Sequence, residues 1–110
     1  MVDLSRARTI VLVFHQDGCP ACSEFMPRFN AAAKQLQGCL PVVRVDIAKP
    51  EAQGLADKFK VKFTPTTVVW QRPSRGRSEG WKTWESAVSD QEIEMAFAIA
   101  ARSASCPVDD

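Results

Sequence analysis

Apolar positions fall into separate blocks along the chain. Ile10-Val-Leu-Val-Phe14 is a continuous apolar run rich in β-branched residues. That is the pattern of a strand covered on both faces. A turn, His15 to Gly18, follows it. Residues 20 to 37 carry Phe25, Phe29, Ala32, Ala33 and Leu36 at steps of three and four. This predicts a helix with one core-facing stripe. Pro27 lies inside it and should kink it, and Gly38 stands where a C-terminal cap belongs. The polar residues 1–9 read as a short N-terminal arm.

Leu40 to Ile47 reads as a second buried strand, and Glu51 to Phe59 as a shorter helix. Lys58 to Phe63 alternates polar and apolar, as an exposed strand would. The two signals overlap, and pattern alone does not separate them. Thr66 to Gln71 is a strand, Arg72 to Ser78 a hairpin loop with Pro73 and Gly76, and Gly80 to Glu85 the returning strand. Ser89 to Arg102 is a closing helix. Ser89 with Glu92 makes a capping box, and Ile93, Met95, Ala96, Phe97 and Ile99 supply an apolar face that Ala100 extends. Residues 103–110 are expected to form a flexible tail.

The predicted order is β-α-β-α-β-β-α. That is an α/β fold, a central mixed sheet flanked by helices. Alternating strands and helices imply parallel pairing with right-handed crossovers, and the late hairpin adds an antiparallel edge. The length of 110 residues leaves room for one domain, 1–110.

Composition adds exclusions. With 45% hydrophobic and 25% charged residues the chain is not of the disordered class. A net charge of +1 gives no overall bias toward nucleic acid or a membrane surface. The charge is uneven, with Lys58, Lys60, Lys62, Arg72, Arg75 and Arg77 lying between Asp57 and Glu79 with no acid among them. The three arginines fall on the hairpin tip without interleaved aromatics, so a solvated loop is expected there rather than a nucleic-acid contact. Trp70 fits the sheet core. Trp81 and Trp84 fit either an exposed partner patch or packing against a helix. No apolar run approaches the roughly 18 residues of a membrane span. Arg6 and Arg8 with the run after them are too short a match for a signal peptide. The expectation is a cytoplasmic monomer that binds neither nucleic acid nor membrane.

The chemistry concentrates at Cys19-Pro20-Ala21-Cys22, on the junction of a strand and a helix. Pro20 suits the first helical position, where its missing N–H is not needed. Cys19 is then the N-cap and Cys22 lies one turn in. First-turn N–H groups and the helix dipole face the Cys19 sulfur and stabilise a thiolate. A spacing of three puts both sulfurs on one face, within reach of a disulfide. Cys19 is the expected nucleophile on a substrate disulfide, and Cys22 the resolving thiol. A zinc site is the rival reading of the same spacing, with Cys39, Cys106 or His15 completing it. His15 is either a cation that lowers the Cys19 pKa or an ordinary strand-end residue, and the second is favoured. Asp17 is favoured as a turn residue over a charge that opposes the thiolate. Cys39 is expected to act as a small apolar residue and Cys106 as an incidental thiol; the alternative is that they pair with each other.

These residues resemble the thioredoxin superfamily from about Thr9 to Arg102. The buried strand leads into Cys-x-x-Cys. Pro27 stands five residues after the second cysteine, as the helix-kinking proline does in thioredoxins. Arg44-Val-Asp46 is similar to the family's Lys-Val-Asp, and Thr64-Pro65-Thr66 to its Ile-Pro-Thr. The resemblance implies a cis Pro65 that faces the cysteines and excludes metal, and a Thr64 backbone free to pair with an extended substrate. It makes Pro20 and Ala21 the shaping dipeptide. It also implies protein disulfide substrates, a reductase or glutathione to reset the pair, and no further cofactor.

Departures from the family pattern qualify that implication. Val13 stands where thioredoxins carry a buried acid, Gly18 replaces the usual tryptophan, and His15 occupies an aromatic position. The short start and the proline-first dipeptide look more like glutaredoxin, yet the paired glycines that help hold glutathione are missing near Trp84 to Asp90. Thr64 also resembles some disulfide isomerases. A glutathione-coupled enzyme and a non-catalytic adaptor of the same fold remain the alternatives.

Overall fold

The structure, a computed structural model, describes residues 7–106. Four strands form one sheet: β1 (Thr9–His15), β2 (Val42–Asp46), β3 (Thr66–Gln71) and β4 (Gly80–Glu85), in the order β2-β1-β3-β4. Three helices flank it: α1 (Pro20–Lys34), α2 (Gln53–Lys58, entered through a 3-10 turn at Pro50–Ala52) and α3 (Asp90–Ala104).

The sheet is mixed. β1 runs parallel to β2, with His15 opposite Asp46, and antiparallel to β3, with Phe14 opposite Thr66. The hairpin of β3 and β4 is therefore more than an edge, because β3 is a central strand. Chain length explains the reversal. The six residues of α2 span about 9 Å, too short to return the chain along a strand. β3 therefore starts at the end of the sheet where β2 finished.

Alternation along β1 divides the core into two layers. Val11 and Val13 face α1 and α3, where they pack with Phe25, Phe29, Ile93 and Phe97. Ile10, Leu12 and Phe14 face α2 and pack with Ala56, Phe59 and Trp70. Phe14, Phe25 and Phe29 are wholly buried, and truncating such a residue to alanine typically costs about 3–5 kcal/mol. β1 is thus clamped between two layers, and its C-terminal end is a rigid base for whatever follows it.

Several boundaries differ from the sequence reading. The strand expected to be buried over Leu40–Ile47 is β2, Val42–Asp46, an edge strand in which only Val45 is buried. α1 stops at Lys34, and turns carry the chain through Gly38 (φ 90). Lys58 to Phe63 is not a strand. Phe59 is drawn under the sheet against Phe14 and Trp81, with ring centroids 6.2 and 5.1 Å apart. Lys60 then ends α2 in a left-handed conformation, with Val61 N–H on the Ala56 carbonyl at 2.9 Å. Thr9, placed in the arm by pattern, is buried in β1; residues 1–6 lie outside the described part.

Trp81 and Trp84 sit against different layers and share no patch, and Trp81 stays exposed. Trp70 is buried and its Nε1 donates to Glu79 at 2.7 Å. Trp81 lies on Phe59 under Lys58, and Trp84 packs against the α1–α3 layer. The hairpin loop is exposed and closed by paired backbone bonds between Ser74 and Arg77.

α3 carries the predicted cap, with the Glu92 N–H on Ser89 Oγ at 3.2 Å. Its buried face is Ile93, Ala96, Phe97, Ala100 and Ala101, whereas Met95 falls outside the stripe and is exposed. Arg28 joins α1 to the start of α3, donating to the Val88 carbonyl, Asp90 and Glu24. These acceptors hold its guanidinium charged, its pKa raised.

The largest correction concerns the two outlying cysteines. Cys39 and Cys106 are joined in a disulfide across 67 positions of sequence. Residues 103–106 are held in place rather than frayed. Ser103 Oγ meets Thr9 Oγ1 at 2.8 Å, and the Cys106 N–H reaches the Ala101 carbonyl at 2.8 Å. Cys106 is buried in the core beside Leu40. Residues 107–110 lie outside the described part. Closing a loop of this length stabilises a fold by about 4 kcal/mol in the chain-entropy account.

Candidate functional site

The site grows from the end of β1. Gly18 takes φ 79 in the turn after His15, a region that glycine enters without strain. Cys19 follows in extended geometry as the N-cap of α1, Pro20 opens the helix, and Cys22 sits at the end of its first turn. Both cysteines are free thiols, Cys19 half-buried and Cys22 buried.

Donors converge on the Cys19 sulfur. The Cys22 N–H lies 3.1 Å from it, and the Thr64 hydroxyl 3.4 Å from it. In the thiol form the Cys19 S–H can donate to the Thr64 carbonyl at 3.5 Å. The Cys22 thiol, the Thr64 hydroxyl and the backbone N–H groups of Cys22 and Ala21 all favour a charged sulfur. Together they hold Cys19 below the usual thiol range, against a smaller opposing effect of burial. Cys22 moves the other way. Burial raises it first, and the neighbouring Cys19 raises it further. The pair is therefore asymmetric, with one accessible sulfur disposed to be a thiolate and one enclosed sulfur that keeps its proton.

The second wall is the start of β3. The Thr64–Pro65 peptide bond is cis, Pro65 is fully buried, and the Thr66 hydroxyl ties this turn to the Phe63 carbonyl at 2.7 Å. Thr64 thereby meets Cys19 from across the sheet, 45 positions away in sequence. Its hydroxyl is the contact the sequence reading missed. The residue was singled out for its backbone, and only the fold aims its side chain at sulfur.

His15 and Asp46 close the ends of β1 and β2. They help line an open groove of about 890 Å³ that continues to Lys49 and Leu55. Neither cysteine lines it; of the pair only Cys19 is partly exposed. Asp17 is exposed in the turn. The disulfide between Cys39 and Cys106 withdraws both from any zinc site with the first pair. Among the described residues no cluster of three or more metal-ligating side chains is gathered. No helix of the described residues is long and apolar enough to cross a membrane.

Known proteins set this geometry in context. The profile of the thioredoxin family matches residues 2–95. Protein disulfide-isomerase A5 of Bos taurus is 25% identical over 65 residues, covering 59% of this chain and 12% of that protein. Sulfhydryl oxidase 1 of Arabidopsis thaliana is 32% identical over 84 residues, covering 70% of this chain and 16% of that protein. The chain thus spans less than a fifth of the length of either relative. Among solved structures, the germline-specific thioredoxin Deadhead of Drosophila melanogaster superposes with a TM-score of 0.68 at 21% identity, covering 86% of this chain and 83% of that one. Thioredoxin-2 of the malaria parasite does so with a TM-score of 0.68 at 23% identity, covering 90% and 88%. The profile takes in all four strands and the first two helices, and the chain belongs to the thioredoxin family.

Proposed function

We propose that the chain is a thiol–disulfide oxidoreductase that exchanges dithiol and disulfide with protein substrates through Cys19-Pro20-Ala21-Cys22. The observation that carries this reading is the asymmetry of the pair, with the Cys22 N–H and the Thr64 hydroxyl aimed at the Cys19 sulfur. The Cys19 thiolate attacks one sulfur of a substrate disulfide. A Cys19–substrate disulfide forms and the other substrate sulfur leaves as a thiolate. Cys22 then gives up its proton, attacks the Cys19 sulfur and releases the second substrate thiolate. The substrate gains two electrons and two protons, and Cys19 and Cys22 end as a disulfide. The reverse sequence oxidises a substrate dithiol.

Pro65 and Thr64 shape the approach of an extended segment, and the open position of Cys19 suits a protein substrate. The pair itself carries the electrons, so no dissociable cofactor enters the scheme. A reductase or glutathione resets it. We further infer a monomer that acts on neither nucleic acid nor membrane. The second disulfide favours an oxidising working compartment over the cytoplasmic expectation, because such bonds persist outside reducing pools.

Equilibration of the pair in glutathione buffers, with thiol trapping, tests the reading. A midpoint near thioredoxin's, about −270 mV, makes the chain a reductase. A midpoint between about −200 and −120 mV makes it an oxidant or isomerase. A pair that never forms a disulfide overturns the proposal.

A further inference from the structure

The segment joining α2 to β3, residues 60–65, ends on the groups that touch Cys19. Phe63 directly precedes Thr64 and is 60% exposed, the most exposed large apolar side chain among the described residues. Its carbonyl is held by the Thr66 hydroxyl, while its side chain stands in solvent. Lys60 and Lys62 precede it in the segment, and both are exposed. Lys60 takes φ 55, where glycine would be the unstrained residue. The chain thus keeps a lysine at a backbone position that disfavours any side chain, four residues before the Thr64 that touches Cys19.

The fold does not use these charges itself. Lys58, the first cation of the run, is taken by Glu79 at 3.1 Å. Asp57 accepts from Gln53. Among the described residues Lys60 and Lys62 have no ion-pair partner. The other acids at this end of the sheet belong to different elements. Asp17 is in the β1–α1 turn, Glu85 ends β4, and the Asp46 carboxylate accepts from the Ala48 N–H.

We infer that Lys60, Lys62 and Phe63 form a selecting edge of the exchange site, which takes extended protein segments whose cystine is flanked by acidic and apolar residues. The inference rests on the exchange reading above and adds the class of segment exchanged. Charge complementarity names the occupant. Two exposed cations, without an ion-pair partner among the described residues, precede an exposed aromatic ring, so an acidic segment with an apolar side chain satisfies both.

The test compares two peptide disulfides of one sequence, differing only in glutamates or lysines beside the cystine. Each rate is normalised to that of free dithiothreitol. At low ionic strength kcat/KM for the glutamate peptide should exceed that for the lysine peptide by about tenfold, the effect of two exposed ion pairs. The difference should shrink in about 0.5 M salt, where exposed charges are screened. Lys60→Glu with Lys62→Glu should reverse the ranking. Phe63→Ser should lower kcat/KM for a leucine-bearing peptide while Cys19 alkylation stays at the unchanged rate. Equal use of both peptides at low salt would overturn this inference and leave the exchange reading standing. Exchange of neither peptide would overturn the exchange reading, and the selecting edge with it.

Discussion

The chain holds two cysteine pairs, and they differ in almost every physical respect. Cys19 and Cys22 are three residues apart, free, and set on a helix N-terminus with donors aimed at one sulfur. Cys39 and Cys106 are 67 positions apart, bonded, and placed where a turn meets the end of α3. Bonding the first pair closes a loop of one turn and removes little chain entropy from the unfolded state. Bonding the second closes most of the domain. The first pair lies outside both core clusters. The second clips Cys106 into the layer that holds Phe29 and Phe97. The same side chain thus stands as a free, asymmetric thiol pair in one place, where exchange is proposed, and as a cross-link in the other, and the surroundings decide which.

The largest effect comes from striking the first pair. Cys19→Ser should abolish exchange with peptide disulfides, because serine offers no thiolate at neutral pH. The fold and the Cys39–Cys106 bond should survive, since Cys19 is half-exposed and outside both core layers. Cys22→Ser should instead accumulate a mixed disulfide on Cys19, which intact-mass measurement detects. Loss of structure in either variant would mean that the first pair also holds the fold.

Striking the second pair should invert that result. Cys39→Ala with Cys106→Ala should lower unfolding stability by about 4 kcal/mol, read from the urea midpoint. Peptide exchange by the folded protein should be unchanged. If exchange fell in step, the two pairs would be coupled and the division between them would be wrong.

How much of this was legible in the sequence differs between the same two regions. The geometry of the candidate site was readable because its elements are local. A strand, a turn, proline at the first helical position and two cysteines three apart all lie within Thr9 to Cys22. The late hairpin and the cap at Ser89 were readable for the same reason. The Cys39–Cys106 bond was not, because proximity across 67 positions is a property of topology rather than pattern. The alternating run from Lys58 misled because Phe59 is held by rings from β1 and β4, and no local pattern records that. β3 proved central because α2 is too short to carry the chain back, a matter of length rather than hydrophobicity. Thr64 falls between these cases. Its place before Pro65 was visible, but its hydroxyl on Cys19 required the fold.

The smallest effect sharpens what makes the first pair special. Thr64→Val keeps the shape of the side chain and removes the hydroxyl that favours the Cys19 thiolate. The Cys22 N–H remains, so the lowering should be reduced rather than lost. Cys19 alkylation by iodoacetamide rises with pH as the thiolate forms. Its midpoint should lie below the ordinary thiol range in the native protein and move upward in the variant. Stability follows the same sign. A depressed folded pKa contributes stability that is present above the unfolded thiol value and fades as pH falls through the folded one. The raised Cys22 opposes it, contributing below the unfolded value and losing that contribution as pH rises. Thr64→Val should therefore lose stability chiefly on the alkaline side, with the acid side unchanged. A midpoint that stayed in place would mean that the backbone N–H groups of α1 alone set the Cys19 thiolate, and that Thr64 serves only to shape the approach to it.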